Sequence, residues 1–181
     1  MTRLLGRYCR RFRKEESGNA SVEFFIIFPT FIILMLMSIE LSFITLRHTL
    51  LERGMDIAVR QIRLGTGEPS NHAEIKDVIC EGAAFIANCD TELRLEMKPV
   101  DMRAYAPLDE EVKCIENSEP VDPAVLQQDF VFGGTNELMI LRACYRYDPF
   151  FPDGLLGQAL TKDENGKAAI VTMTAFVQEP T

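Results

Sequence analysis

The sequence predicts an α+β protein: a long amino-terminal helix that crosses a membrane and continues onto a small antiparallel sheet domain. Three observations predict it. Residues 22–46 form one apolar run. The run passes directly into a segment with helical periodicity. Three strand-like segments follow, separated by turn residues instead of amphipathic helices.

The apolar run reads VEFFIIFPTFIILMLMSIELSFITL, and its ionisable residues are Glu23 and Glu40. At about 1.5 Å per residue, Phe24 to Leu46 extends roughly 33 Å, enough to cross a bilayer core. A secretory signal has a shorter apolar core followed by a small-x-small cleavage site, and neither is seen. Pro29 bends such a helix without ending it, because membrane helices tolerate proline. After Leu46, the residues Leu50, Leu51, Met55, Ala58, Val59 and Ile62 recur at steps of three and four. That spacing puts them in one stripe of a helix. Gly65, Gly67 and Pro69 supply the stop. One helix is therefore expected from about Ala20 to about Leu64.

The remainder reads as the sheet domain. Asn71 or Ser70 caps a helix expected over His72–Ala87, with Ile75, Val78, Ile79, Ala83 and Ile86 as its apolar stripe. Leu93, Leu95 and Met97 alternate with Arg94, Glu96 and Lys98, the pattern of a strand with one buried face. Residues 104–136 carry three prolines and two adjacent glycines and read mostly as loop. Residues 137–147 and 168–178 are the second and third strands. Between them lies a turn-rich excursion in which Asn165-Gly166 is a hairpin signal. The expected organisation is thus a leader at 1–18, a membrane helix at 19–46, its continuation at 47–65 and the α+β domain at 66–181.

Charge is distributed to match. The net charge of -8 hides a leader whose first seventeen residues hold six cations against two acids, leaving about -12 for the rest. A basic tip on an acidic body argues against nucleic acid, which needs a basic face on the folded part. It agrees with cations that stay in the cytoplasm beside an apolar run. There are two histidines, His48 and His72, without companion ligands in sequence, so no metal or other cofactor is expected. No nucleophile elbow, metal cluster or phosphate loop is present, and no enzyme activity is expected.

The sharpest motif is Gly18-Asn19-Ala20-Ser21-Val22-Glu23-Phe24, set between the basic leader and the apolar run. It resembles the cleavage site of type IV prepilins. The resemblance implies a cut by a prepilin peptidase between Gly18 and Asn19, with Glu23 the fifth residue of the mature chain. The Glu23-Phe24 pair looks more like the Flp branch than the classical one. Further agreement comes from Pro29 inside the run, Glu40 near its outer end, Ala58-Val59-Arg60 through Gly65, and the ending TAFVQEP. Together these resemble the TadE-like family (TadE, TadF and TadG types) of tight-adherence (Tad) pilus proteins. The match is good over the first third of the chain and loose thereafter.

That resemblance implies a minor pilin or pseudopilin. Its partners would be the peptidase, the Tad inner-membrane assembly platform, other minor or major pilins and lipid. Its place would be the bacterial inner membrane, single-pass, with the amino terminus cytoplasmic and the domain periplasmic. Gly18 would leave the backbone open to the peptidase. Glu23 would pair with the new ammonium of Asn19 on a neighbouring subunit and so set register, with Phe24 and Glu40 as further assembly residues. The alternative expectation is an unprocessed, signal-anchored protein whose outer domain binds a partner.

Four cysteines, Cys80, Cys89, Cys114 and Cys144, lie beyond the apolar run, while Cys9 lies in the leader. An even number there suits an oxidising compartment. Three pairings are open. Cys80–Cys89 with Cys114–Cys144 is favoured, each bond contributing roughly 2–4 kcal/mol.

Overall fold

The structure, a computed structural model, describes residues 19–64, 71–101, 103, 112, 114 and 129–179. The chain divides between Ile39 and Glu40 into two units. The expected bound of the membrane segment at Leu46 lies further along the same helix.

Helix α1 spans Asn19–Leu64, and Pro29 lies inside it without ending it. In the second unit its side chains Leu51, Met55, Ala58, Val59 and Ile62 are buried, and half-buried Leu50 packs on the same core. The six-residue stripe expected from spacing is therefore the face that α1 gives to the core.

Helix α2 spans His72–Gly82, and the Asn71 side chain caps it by accepting the Glu74 backbone N–H at 3.0 Å. The helix stops at Gly82 and does not run to Ala87 as the periodicity suggested. The Ala83 N–H still reaches the Ile79 carbonyl at 2.8 Å, but Phe85 and Asn88 then take positive φ values of 80° and 53°. Two left-handed residues turn the chain, so Ile86 enters the core as an isolated residue. A short helix α3, Cys89–Glu92, follows.

The two helices meet at glycines. A Cβ on Gly82 would lie 2.9 Å from the Gly54 Cα, and a Cβ on Gly54 would collide with the Ile79 carbonyl oxygen. That oxygen is backbone and cannot rotate away. Gly54→Ala gains up to about 1 kcal/mol of helix propensity but forces the crossing apart, at about 1–3 kcal/mol. The expected outcome is a net loss, read as a lower urea midpoint. A variant as stable as the parent would show that the helices separate freely.

Strands β1 (Leu93–Pro99), β2 (Leu138–Tyr147) and β3 (Ala168–Val177) form an antiparallel sheet in the order β1-β2-β3. The expected alternation holds: Leu93, Leu95 and Met97 are fully buried. Across the ladder, Leu95 faces Ala143 and Ala143 faces Thr172. This face joins α1 and α2 in one core with Met139, Leu141, Tyr145, Ile170 and Phe176. Most of the 104–136 segment read as loop lies outside the described residues. Within it, Asp129–Val131 runs beside β1: the Met97 N–H donates to Asp129 O and the Val131 N–H to Met97 O, both at 2.9 Å.

The β2–β3 excursion holds a short helix, α4 (Leu155–Ala159), absent from the sequence reading, which saw turns there. The Asn165-Gly166 signal falls in a tight turn: Gly166 has φ 78°, and Asp163 Oδ1 accepts the backbone N–H groups of Asn165 and Lys167, each at 2.9 Å.

Both favoured disulfides are formed. Cys80–Cys89 joins α2 to α3 across nine residues, and Cys114–Cys144 ties residue 114 to β2 across thirty. Loop-closure entropy ranks them. Replacing the Cys114–Cys144 pair by serines is expected to cost about 3.5 kcal/mol, and the Cys80–Cys89 pair about 2.5 kcal/mol. Denaturant titration of the two double variants checks the order.

Candidate functional site: an apolar helix and its two carboxylates

α1 is long and apolar enough to cross a membrane. In the first unit its side chains face outward all round: Phe24, Phe25, Ile26, Ile27, Phe31 and Leu34 are exposed, Phe25 by 75%. A helix apolar on every side, without a core of its own, is suited to lipid and not to water. Two of its hydroxyls, those of Thr30 and Ser38, are satisfied internally. Thr30 Oγ1 donates to the Ile26 carbonyl at 3.3 Å and Ser38 Oγ to the Leu34 carbonyl at 2.8 Å. These two hydroxyls, which would be costly unpaired in lipid, are thereby paired within the helix.

Glu23 is the single ionisable residue from Ala20 to Ile39, and it is exposed. Beside it, the Phe24 ring stacks on Phe28 at 4.9 Å and meets Phe25 edge-on at 6.3 Å. This is an anionic point on an otherwise lipophilic cylinder. A carboxylate at the middle of a membrane helix costs about 2.5–3.5 kcal/mol on insertion scales, less near the interface, so a cationic partner is strongly favoured there. Gly18 lies outside the described residues, as does the rest of the leader. Asn19 is the first residue described.

Glu40 belongs to the second unit and differs in every respect. It is 1% exposed. Its Oε1 accepts the Phe150 backbone N–H at 3.1 Å, and its Oε2 accepts that of Phe151 at 2.7 Å. Phe43, one turn further along α1, stacks on Phe150 at 5.0 Å. Arg47, a conceivable ion partner from spacing alone, instead lies over the Tyr147 ring, 4.7 Å from its centroid. Both oxygens of Glu40 are therefore engaged within the subunit, as a clamp on the chain leaving β2.

Two charged groupings were not evident beforehand. Arg146, 3% exposed on the central strand, reaches Glu92 at 2.8 Å and Asp163 at 3.0 Å, and Lys167 joins the same Glu92 carboxylate. Arg94 holds Asp129 at 2.8 Å, with its other end toward the Cys114 carbonyl at 3.5 Å. The available signal was a pair of arginines, Arg142 and Arg146, inside a strand otherwise apolar. A buried arginine demands acids nearby, but sequence does not say which.

Comparison with family models, with curated proteins and with solved structures returns no match. What stands is an α+β chain with one lipophilic helix, a three-stranded antiparallel sheet and two disulfides.

Proposed function

We propose that this chain is a minor pilin or pseudopilin of a Tad-type adhesion pilus, of the TadE-like family, cut between Gly18 and Asn19 by a prepilin peptidase. One observation carries the reading: Glu23 is the lone charge on the exposed apolar part of α1, Ala20–Ile39, five positions after a glycine that ends a basic leader. After cleavage, the ammonium of Asn19 is a cation that a neighbouring subunit can offer to Glu23 at the same depth, which offsets the cost of the buried carboxylate.

The rest of the reading follows from that helix. The leader faces the cytoplasm, the helix spans the inner membrane once, and the domain lies in the periplasm, where its disulfides are stable. The protein is not a catalyst. Its partners are the peptidase, the inner-membrane assembly platform and other pilins.

The test is the mature amino terminus, measured by mass spectrometry in cells with and without the peptidase. The expected result is Asn19 with the enzyme and the intact leader without it. Gly18→Ala is expected to block processing. A chain that begins at Met1 or Thr2 in peptidase-positive cells building normal fibres defeats the proposal.

A further inference from the structure

The two edges of the sheet are treated differently. The outer edge of β1 is covered by Asp129–Val131, and β1 itself carries Arg94, Glu96 and Lys98. β3 is covered among the described residues only at its start, where Ala168 bridges Lys162. The direction of its backbone groups follows from its far end. The Gln178 N–H donates to Glu137 O and the Gln178 carbonyl accepts the Asn136 N–H, both at 3.0 Å, so both groups of residue 178 face β2. The ladder is continuous from Leu138–Val177 to Tyr147–Ala168, without a bulge. Direction alternates along such a strand. Ala169, Val171, Met173, Ala175 and Val177 therefore aim their N–H and C=O groups at the outer side, where Ala169 lies against the Lys162 bridge and the edge is open among the described residues from Val171 onward. Lys167 obeys the same parity, since its carbonyl accepts the Asp163 N–H on that side.

This edge lacks the protections that isolated strands carry. Ala168–Val177 has no charge, no proline and no glycine. The side chains of its five edge-facing residues are exposed, Met173 by 57%. A long, flat, uncharged edge is a template for another strand.

We infer that β3 pairs antiparallel with β3 of a second copy of this chain, about a two-fold axis at Met173, to make one continuous six-stranded sheet. The sequence of the strand is self-complementary about that point. Met173 faces its own counterpart and Val171 faces Ala175, so the larger residue meets the smaller on either side of the axis. On the opposite face Thr172 meets Thr174 and Ile170 meets Phe176, both favourable cross-strand pairs. No like charges meet anywhere along the seam. Val171, Met173 and Ala175 fall at hydrogen-bonded positions in this register, giving about six inter-chain hydrogen bonds, while the outer side of Ala169 is taken up by the bridge of Ala168 to Lys162. The contact is isologous, as a two-fold pair requires. It does not depend on the pilin reading, since an unprocessed anchored chain has the same edge.

The experiment uses the full chain in detergent micelles, with its mass read by light scattering across a concentration series. The parent is expected to dimerise. Met173→Lys and Met173→Glu, each at an exposed position and each checked for an unchanged thermal melt, are expected to be monomeric because like charges then meet at the axis. An equimolar mixture of the two is expected to recover the dimer, a lysine now facing a glutamate. A monomeric parent, whose edge is open or closed by its own chain, overturns the inference. So does a dimer insensitive to either variant, which the apolar helix holds together, or a mixture that stays monomeric.

Discussion

Glu40→Ala is expected to destabilise the domain by about 3–5 kcal/mol. Each of the two N–H groups on Phe150 and Phe151 would lose a charged acceptor, and an unsatisfied buried donor costs about 1–3 kcal/mol. Glu40 itself is 1% exposed, although its partner Phe150 keeps much of its side chain in contact with solvent. Glu40→Gln separates charge from shape. The amide keeps the volume but offers one oxygen and one NH2 to two donors, so one backbone N–H faces another donor. It is expected to lose somewhat less than alanine while remaining clearly weaker than the parent. Urea titration of the three proteins is the measurement. If Glu40→Gln matches the parent, the clamp on the excursion is not an energetic feature of the fold.

The second large effect belongs to Glu92. Removing it leaves Arg146 and Lys167 in a buried setting without the acid they share. Breaking a buried pair from one side costs about 3–5 kcal/mol, whereas replacing all partners with apolar residues of similar size is often neutral. Glu92→Ala is therefore expected to lose far more than the triple variant Glu92→Leu, Arg146→Met, Lys167→Met.

The same groups set the acid response. Burial works to raise the Glu92 pKa, but the Lys167 hydrogen bond and Arg146 outweigh it and hold the carboxyl below its ordinary value. Its contribution is complete above the unfolded carboxyl range and is lost as pH falls through the lower folded value. His72 acts earlier. Burial first, then Lys76 and Arg94, lower its pKa, so the unfolded chain takes up a proton below about 6.5 that the folded one refuses. Stability is expected to fall in two steps on acidification. The first begins near pH 6.5 and is abolished by His72→Phe. The second lies in the carboxylate range and is reduced in Glu92→Gln. Denaturant midpoints taken from pH 7 to pH 3 check both.

The parts of this fold that sequence disclosed are those governed by period. The α1 stripe and the buried row Leu93, Leu95 and Met97 follow from residue spacing alone. So does the Asn71 cap, because capping is local chemistry. What spacing did not disclose depends on residues distant in the chain. α2 stops short because Phe85 and Asn88 take left-handed backbones, a conformation asparagine favours but Phe85 does not announce. Glu40 reads as a membrane-boundary carboxylate, and its amide partners lie 110 and 111 positions away. The Glu92–Arg146–Lys167 grouping needs the strand register to be known first.

The bond between Cys114 and Cys144 has a consequence for how the protein matures. One of its ends sits on the middle strand, which is hydrogen-bonded to both β1 and β3. The other end is Cys114, whose carbonyl also accepts from Arg94 at 3.5 Å. A thiol-rich milieu would thus remove the covalent tie between residue 114 and β2 and leave the Arg94 contact at Cys114. This bond closes only where the chain meets an oxidant, so a maleimide-labelling pattern reports whether the domain has met one.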